Sequence, residues 1–262
     1  MSTDWQLLES GPADATNTVL LLPGGMCGAE SFAEVMAQPA LGRLRLVAAT
    51  MPGHAGAAPL KECSMASYAR ASAVLAAGIR ADVVAGFSMG ASVAVEMVTS
   101  GAFTGPVVLS GVSLSSPDEP AFFRGLVALG RVLGGIPVRL LGKATGVMLK
   151  QMRMSTERQA ELRADFGRND PAVVRRILLE YTRWLRQDEQ RAVRLCRAGV
   201  PTWTIHTEKG DGGLTDGERS TLEACPNARL VTIPGSVFFL PVEAPEPLAA
   251  AIAEAVAFAS RP

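Results

Sequence analysis

Short apolar runs that end in glycine or proline alternate along the chain with longer stretches of helical periodicity. The runs are "TVLLLPGG" (18–25), "RLVAATMPGH" (45–54), "ADVVAGFS" (81–88), "GPVVLSGV" (105–112), "VPTWTIHT" (200–207) and "ARLVTIPG" (228–235). Strands apolar on both faces and separated by helices predict an α/β fold with a mostly parallel sheet covered on both sides. Helical intervals fit at 29–37, 67–78, 90–99, 216–224 and 246–259.

One interval breaks this rhythm. About ninety residues separate the run ending at Val112 from the one beginning at Val200, several times an ordinary crossover. An inserted helical cap over 113–195 is expected, with 1–112 and 196–262 forming one core. Within the insertion, Asn169-Asp170-Pro171 supplies a helix start, and Val173, Val174, Ile177, Leu178, Tyr181, Trp184 and Leu185 recur at helical spacing. A further helix is expected from Ser155 or Thr156, with Thr156 and Gln159 as a capping box. Arg175, Arg176, Arg183 and Arg186 fall largely on other faces and read as a solvated surface rather than an anion site. Met148, Met152 and Met154 suit either a greasy pocket wall or core filling.

Composition narrows the partners. Twenty-five lysines and arginines balance twenty-five aspartates and glutamates, so no overall field favours nucleic acid or a membrane surface. No run approaches the roughly 18 apolar residues of a spanning helix, and the opening lacks a leader pattern, so a cytoplasmic protein without a membrane span is expected. The four cysteines, Cys27, Cys63, Cys196 and Cys225, show neither CxxC nor Cys/His spacing. They read as reduced and structural, with no metal site and no cofactor.

The chemistry concentrates in "GFSMG", Gly86–Gly90, which ends an apolar strand and opens a helical pattern. A serine on a sharp strand-to-helix turn needs small residues two positions to either side, and the following helix aims amide donors at charge developing near it. Ser88 is thereby a candidate nucleophile. Upstream, "LLPGGMCGAESF" is a strand running into glycines; with Met89, either Met26 or Gly25 would donate a backbone N–H to an oxyanion.

These motifs, with "MPGHAGA" (51–57), "PTWTIHTEKGDGG" and "PGSVFFLPVEAPE", make the chain resemble the α/β-hydrolase superfamily along nearly its whole length. The resemblance implies an α/β-hydrolase fold with an inserted cap, and a hydrophobic small molecule as substrate or ligand. It places the catalytic acid at or near Asp211, with Glu208 and Asp216 as neighbours and Asp118 as a more distant candidate. The base position falls on Phe238, without any gap in the surrounding "GSVFFLPVEAPE". Phenylalanine accepts no proton, so Ser88 lacks its usual activator.

Only two histidines exist, His54 and His206. His54 belongs to the "PGH" loop and reads as structural. His206 closes the strand before the acid loop and is a possible substitute base, although a satisfied structural histidine is the stronger reading. Val237 also replaces the glycine that usually precedes the base, and Pro23 the histidine that often opens the oxyanion motif. These departures together read as natural divergence. The expected function is therefore a serine ester or thioester hydrolase of weak or non-standard activity. The alternatives are an inactive relative that binds a hydrophobic ligand, and a non-hydrolytic lyase or isomerase.

Overall fold

The computed structural model describes residues 5–118, 154–188, 190–208, 213–235, 237 and 239–260. Among them seven strands form one sheet: β1 (Gln6–Ser10), β2 (Thr18–Leu22), β3 (Arg45–Thr50), β4 (Val83–Phe87), β5 (Val107–Ser110), β6 (Thr202–Thr207) and β7 (Ala228–Ile233). Their order is β1-β3-β2-β4-β5-β6-β7, and every pairing is parallel except β1 with β3. The helices are α1 (Ala33–Met36), α2 (Met65–Ile79), α3 (Met89–Thr99), α4 (Thr156–Gly167), α5 (Pro171–Gln187), α6 (Arg191–Arg197), α7 (Asp216–Glu223), α8 (Leu240–Glu243) and α9 (Pro245–Ala259).

The apolar runs become central strands because their alternate residues feed two different cores. In β2, Leu20 and Leu22 enter a cluster with α2, α3 and α5, while Val19 and Leu21 enter one with α1, α8 and α9. All four are fully buried. β4 divides in the same way, Val84 to the first cluster and Val83, Ala85 and Phe87 to the second. β1 escapes the pattern because it is an antiparallel edge strand of mostly exposed and half-exposed residues.

The insertion's described helices follow local signals, with one change. Asp170, rather than its neighbour Asn169, caps α5, accepting from Ala172 and Val173 N–H, and Pro171 opens the helix. At α4 the expected Thr156–Gln159 box is corrected: Ser155 caps the helix by accepting from Arg158 N–H at 3.1 Å. The register places Ser155 in extended backbone, which is what a capping side chain needs. Val174, Ile177, Tyr181, Trp184 and Leu185 are buried, and Trp184 Nε1 donates to Glu96 Oε2 at 2.9 Å, fastening α5 to α3. Arg183 pairs with Glu180 on the same helix and Arg176 donates to the Leu60 carbonyl. Met154 packs partly buried against the second core, while Met148 and Met152 lie outside the described residues.

The cysteine expectation is also corrected. Cys196, in the last turn of α6, is disulfide-bonded to Cys225, just beyond α7, with Cα atoms 5.8 Å apart. Twenty-nine positions separate them in sequence, so spacing alone could not announce a pair that only packing around β6 brings together. Cys27 and Cys63 are free and buried, and burial pushes the Cys27 thiol up to about 12, so it behaves as a core residue. None of the described helices is long and apolar enough to cross a membrane.

Candidate active site

Ser88 is the single residue between β4 and α3, with φ 51° and ψ −117°. A non-glycine residue so placed is strained and persists only where neighbours over-determine it. The determinants are visible. Ser88 N–H donates to the Ser110 carbonyl of β5 at 2.8 Å, and Ser88 C=O accepts from Ser92 N–H at 3.1 Å. A side-chain carbon on Gly86 would stand 2.5 Å from backbone atoms of Gly90 and Ala91; one on Gly90 would overlap the Leu22 carbonyl oxygen. The two glycines thus let strand, turn and helix meet, and the side chain of half-buried Ser88 is left at the sheet edge.

The loop after β2 lies on this turn. A side-chain carbon on Gly24 would be 3.5 Å from Ser88 Cβ, and one on Gly25 would be 3.7 Å from Met89 Sδ. Met26 N–H, one of the two candidate donors here, is occupied by His54 Nδ1 at 2.9 Å. Its side chain continues the apolar wall, packed with Val174, Phe166 and Leu178 of α4 and α5.

His206 faces elsewhere. Its ring meets Arg219 Nη1 at 3.1 Å and Thr232 Oγ1 at 3.0 Å, on β6, two strands from β4. Burial, then the Arg219 charge, holds its pKa below the ordinary histidine value. Those contacts satisfy a neutral structural imidazole. Asp118 is committed as well: Oδ2 accepts from Leu114 and Ser115 N–H at 2.7 and 2.8 Å, and Oδ1 from Thr215 N–H. Glu208 Oε2 accepts from Gly235 N–H at 3.0 Å, which brings the loop after β6 against the loop after β7. Asp216 sits exposed in the first turn of α7, where its charge suits the helix N-terminus. Asp211 and Phe238 lie outside the described residues.

Just past position 238, Phe239 is anchored by its N–H to Glu243 Oε1 at 2.7 Å. Its ring stands edge-on to Phe87, the residue before Ser88, with centroids 5.1 Å apart. Sequence reasoning missed this aromatic contact, and it gave Asn169 only a place at a helix start. The Asn169 amide reaches the Met26 carbonyl at 2.8 Å across 143 positions, a contact with no local signature.

Two buried groups titrate in opposite senses. Burial lowers the pKa of His54, 1 % exposed, to about 4. Asp118, 3 % exposed, is raised to about 7, by burial first and then by the Glu218 carboxyl that hydrogen-bonds to it. As pH falls from about 6.5 to about 4, unfolded His54 takes a proton that the folded site refuses, and stability is lost. As pH rises from about 4 to about 7, unfolded Asp118 releases a proton that the folded site keeps, and stability is also lost. The two slopes, each up to ~1.4 kcal/mol per pH unit, oppose one another over the shared window. Asp118→Asn is therefore expected to steepen the rise of unfolding free energy between about pH 4.5 and 6.5 by roughly 1 kcal/mol per unit, read from urea titrations. Parallel curves for the two proteins would show that Asp118 is ionised in the fold.

No curated protein sequence matches this chain. Solved structures do. A thermophilic esterase from Thermogutta terrifontis shares 18% identity with a TM-score of 0.74, covering 98% of this chain and 94% of that one. MenH from S. aureus shares 13% with a TM-score of 0.75 over the whole of both chains. A hydrolase from Oleispira antarctica shares 17% with a TM-score of 0.70, over 95% and 94%. At these identities the likeness is one of fold. The model of the Alpha/beta hydrolase family matches residues 19–251, and with the sheet order and the turn at Ser88 already described, the chain belongs to the alpha/beta hydrolase family.

Proposed function

We propose that the protein is a serine hydrolase-type enzyme for apolar esters or thioesters, with Ser88 as nucleophile and a proton relay that departs from the family's. The observation that carries this reading is the strained, half-buried Ser88 between β4 and α3, with Gly24 packed against it and Gly25 against the neighbouring Met89. The Gly25 and Met89 amides form the oxyanion site; Met26 is set aside because its N–H is spent on His54. Residues 113–195 act as the cap, and Met26, Phe166, Val174 and Leu178 supply an apolar wall beside the site.

The missing base dictates the chemistry. Attack by Ser88 Oγ on a carbonyl forms the O–C bond and places negative charge on the former carbonyl oxygen, which the two amides stabilise. With phenylalanine at 238 the hydroxyl proton passes to water, not to an imidazole. Collapse of the intermediate breaks the bond to the leaving group, which departs without a proton from a general acid. Aryl esters and thioesters, whose phenolates and thiolates leave unprotonated, therefore suit the site better than alkyl esters. Water then hydrolyses the acyl-serine. The family resemblance puts Asp211 in the acid loop, where it has no histidine to orient.

A second reading, an apolar binding protein, is favoured by one observation: His206 is committed to Arg219 and Thr232, and His54 Nδ1 to Met26. A fluorophosphonate separates the two. Wild type is expected to carry one adduct, mapped by mass spectrometry to Ser88 and absent from Ser88→Ala. Ligand-dependent thermal stabilisation by long-chain thioester analogues, with no adduct and no turnover, is the outcome that selects the binding protein.

A further inference from the structure

Met26 and Ala55 are non-glycine residues in left-handed backbone, with φ of 68° and 44°. Each such residue is strained and persists only where its surroundings over-determine it. Here all four of their backbone polar groups are taken up by side chains. Met26 N–H donates to His54 Nδ1 at 2.9 Å, and Met26 C=O accepts from Asn169 Nδ2 at 2.8 Å. Ala55 N–H donates to Asn169 Oδ1 at 3.0 Å, and Ala55 C=O accepts from Arg168 Nε at 3.1 Å. Three of the four bonds come from two consecutive residues in the turn between α4 and α5.

That turn is itself firm. Asn169 Nδ2 also faces the Asp165 and Phe166 carbonyls at the end of α4, at 3.1 and 3.2 Å. Three carbonyls on one side and an N–H on the other fix which end of the amide is nitrogen. Arg168 Nη2 is held by Asp165 Oδ1 at 2.7 Å.

We propose that Asn169 and Arg168, with His54, are positioning residues for the oxyanion site: by locking the peptides at Met26 and Ala55 they set the direction of the Gly25 amide. The inference rests on the reading of Ser88 and Gly25 given above. Its physical reason is local. Gly24 and Gly25 have no side chains to fix their own backbone; the peptide that carries Gly25 N–H is held by Cys27 N–H donating to Gly24 C=O at 3.2 Å, in a turn whose shape depends on left-handed Met26. The donor is aimed at Ser88 only while the α4–α5 turn is seated.

Asn169→Asp is the discriminating substitution, because it keeps the acceptor for Ala55 N–H and turns the donor to Met26 into a second acceptor. The probe is an ethoxy fluorophosphonate, followed as labelling rate against concentration. In Asn169→Asp and Asn169→Ala the limiting rate is expected to fall at least ~10-fold, a fraction of the 10²–10³ that loss of an oxyanion donor costs. The half-saturating concentration is expected to stay within about threefold, as befits a group that acts on the transition state only. A limiting rate within about twofold of wild type in folded variants overturns the proposal. Should Asn169→Ala fail to fold, Asn169→Asp and Arg168→Ala carry the test.

Hydrogen exchange at the Met26 amide decides the matter independently of serine reactivity. Protection is expected in wild type and a loss of ~10-fold or more in both Asn169 variants, with β2 amides unchanged. If wild type is never labelled, the reading of Ser88 fails while this exchange result still stands. Equal Met26 protection in all three proteins overturns the positioning role.

Discussion

Phe238→His combined with Val237→Gly is expected to raise hydrolysis of a small aryl ester by at least ~100-fold over wild type. The scale comes from the reverse experiment: removing a triad histidine alone costs ~10⁶ in turnover in a serine protease, so even an imperfectly seated imidazole recovers orders of magnitude. The described neighbours argue for the register. Phe239 is pinned to Glu243 and stands edge-on to Phe87, one residue before Ser88, and Gly235 is tied to Glu208 at the start of the acid loop. By the family resemblance, a histidine at 238 is expected to stand between Ser88 and the acid loop. Val237→Gly restores the backbone freedom that the family has at this turn. The gain is expected to vanish with Ser88→Ala and to be largely lost with Asp211→Asn, since an unsupported imidazole takes the wrong tautomer. If Glu208→Gln rather than Asp211→Asn abolishes it, the acid is Glu208. A folded double variant within threefold of wild type sinks the assignment of position 238.

Gly90→Ala is expected to destabilise the fold by about 3 kcal/mol or more, or to prevent expression of folded protein. Its new carbon would overlap the Leu22 carbonyl oxygen and lie 2.5 Å from that of Pro23, and both are backbone atoms that no rotamer change can move. Gly78→Ala is the control. That glycine lies inside α2 with nothing within 4 Å of the added carbon, so the same substitution is expected to stabilise by ~0.5–1 kcal/mol. Urea midpoints for the pair measure the contrast directly. Equal effects would mean that the close approach of α3 to β2 has been misread. An intact Gly90→Ala protein that has lost Ser88 labelling would show that the oxyanion loop, lying over the same carbonyls, yields first.

How much of this was legible beforehand depended on whether the signal was local. The central strands were readable because burial on both faces forbids polar residues, so β2 and β4 announce themselves as Val-Leu-Leu-Leu and Val-Val-Ala. The GxSxG spacing was readable for the reason that Gly90→Ala tests. β1 was not, because an edge strand with exposed alternate residues looks like ordinary surface. The disulfide partners and the Asn169 bridge were invisible for a different reason: each joins residues whose proximity is a product of tertiary packing, 29 and 143 positions apart. Asn169 even carried a misleading local cue, since Asn-Asp-Pro offers two candidate caps and the helix takes Asp170.

The sheet order has a consequence for the timing of assembly. β4 carries Ser88, yet its neighbours β2 and β5 come from before and after it in the chain, and the acid loop and position 238 follow β6 and β7. Ser88 N–H is tied to Ser110 in β5, so the strained turn has no restraint on that side until β5 arrives. Parallel pairings across long crossovers form slowly because the loop entropy must be overcome before any contact rewards it. On a ribosome, Ser88 is made before β5, β6 and β7 exist. Until β5 pairs, Ser88 is free of the strained turn, and the backbone conformation proposed for a nucleophile is one that the chain acquires only after synthesis has passed β5.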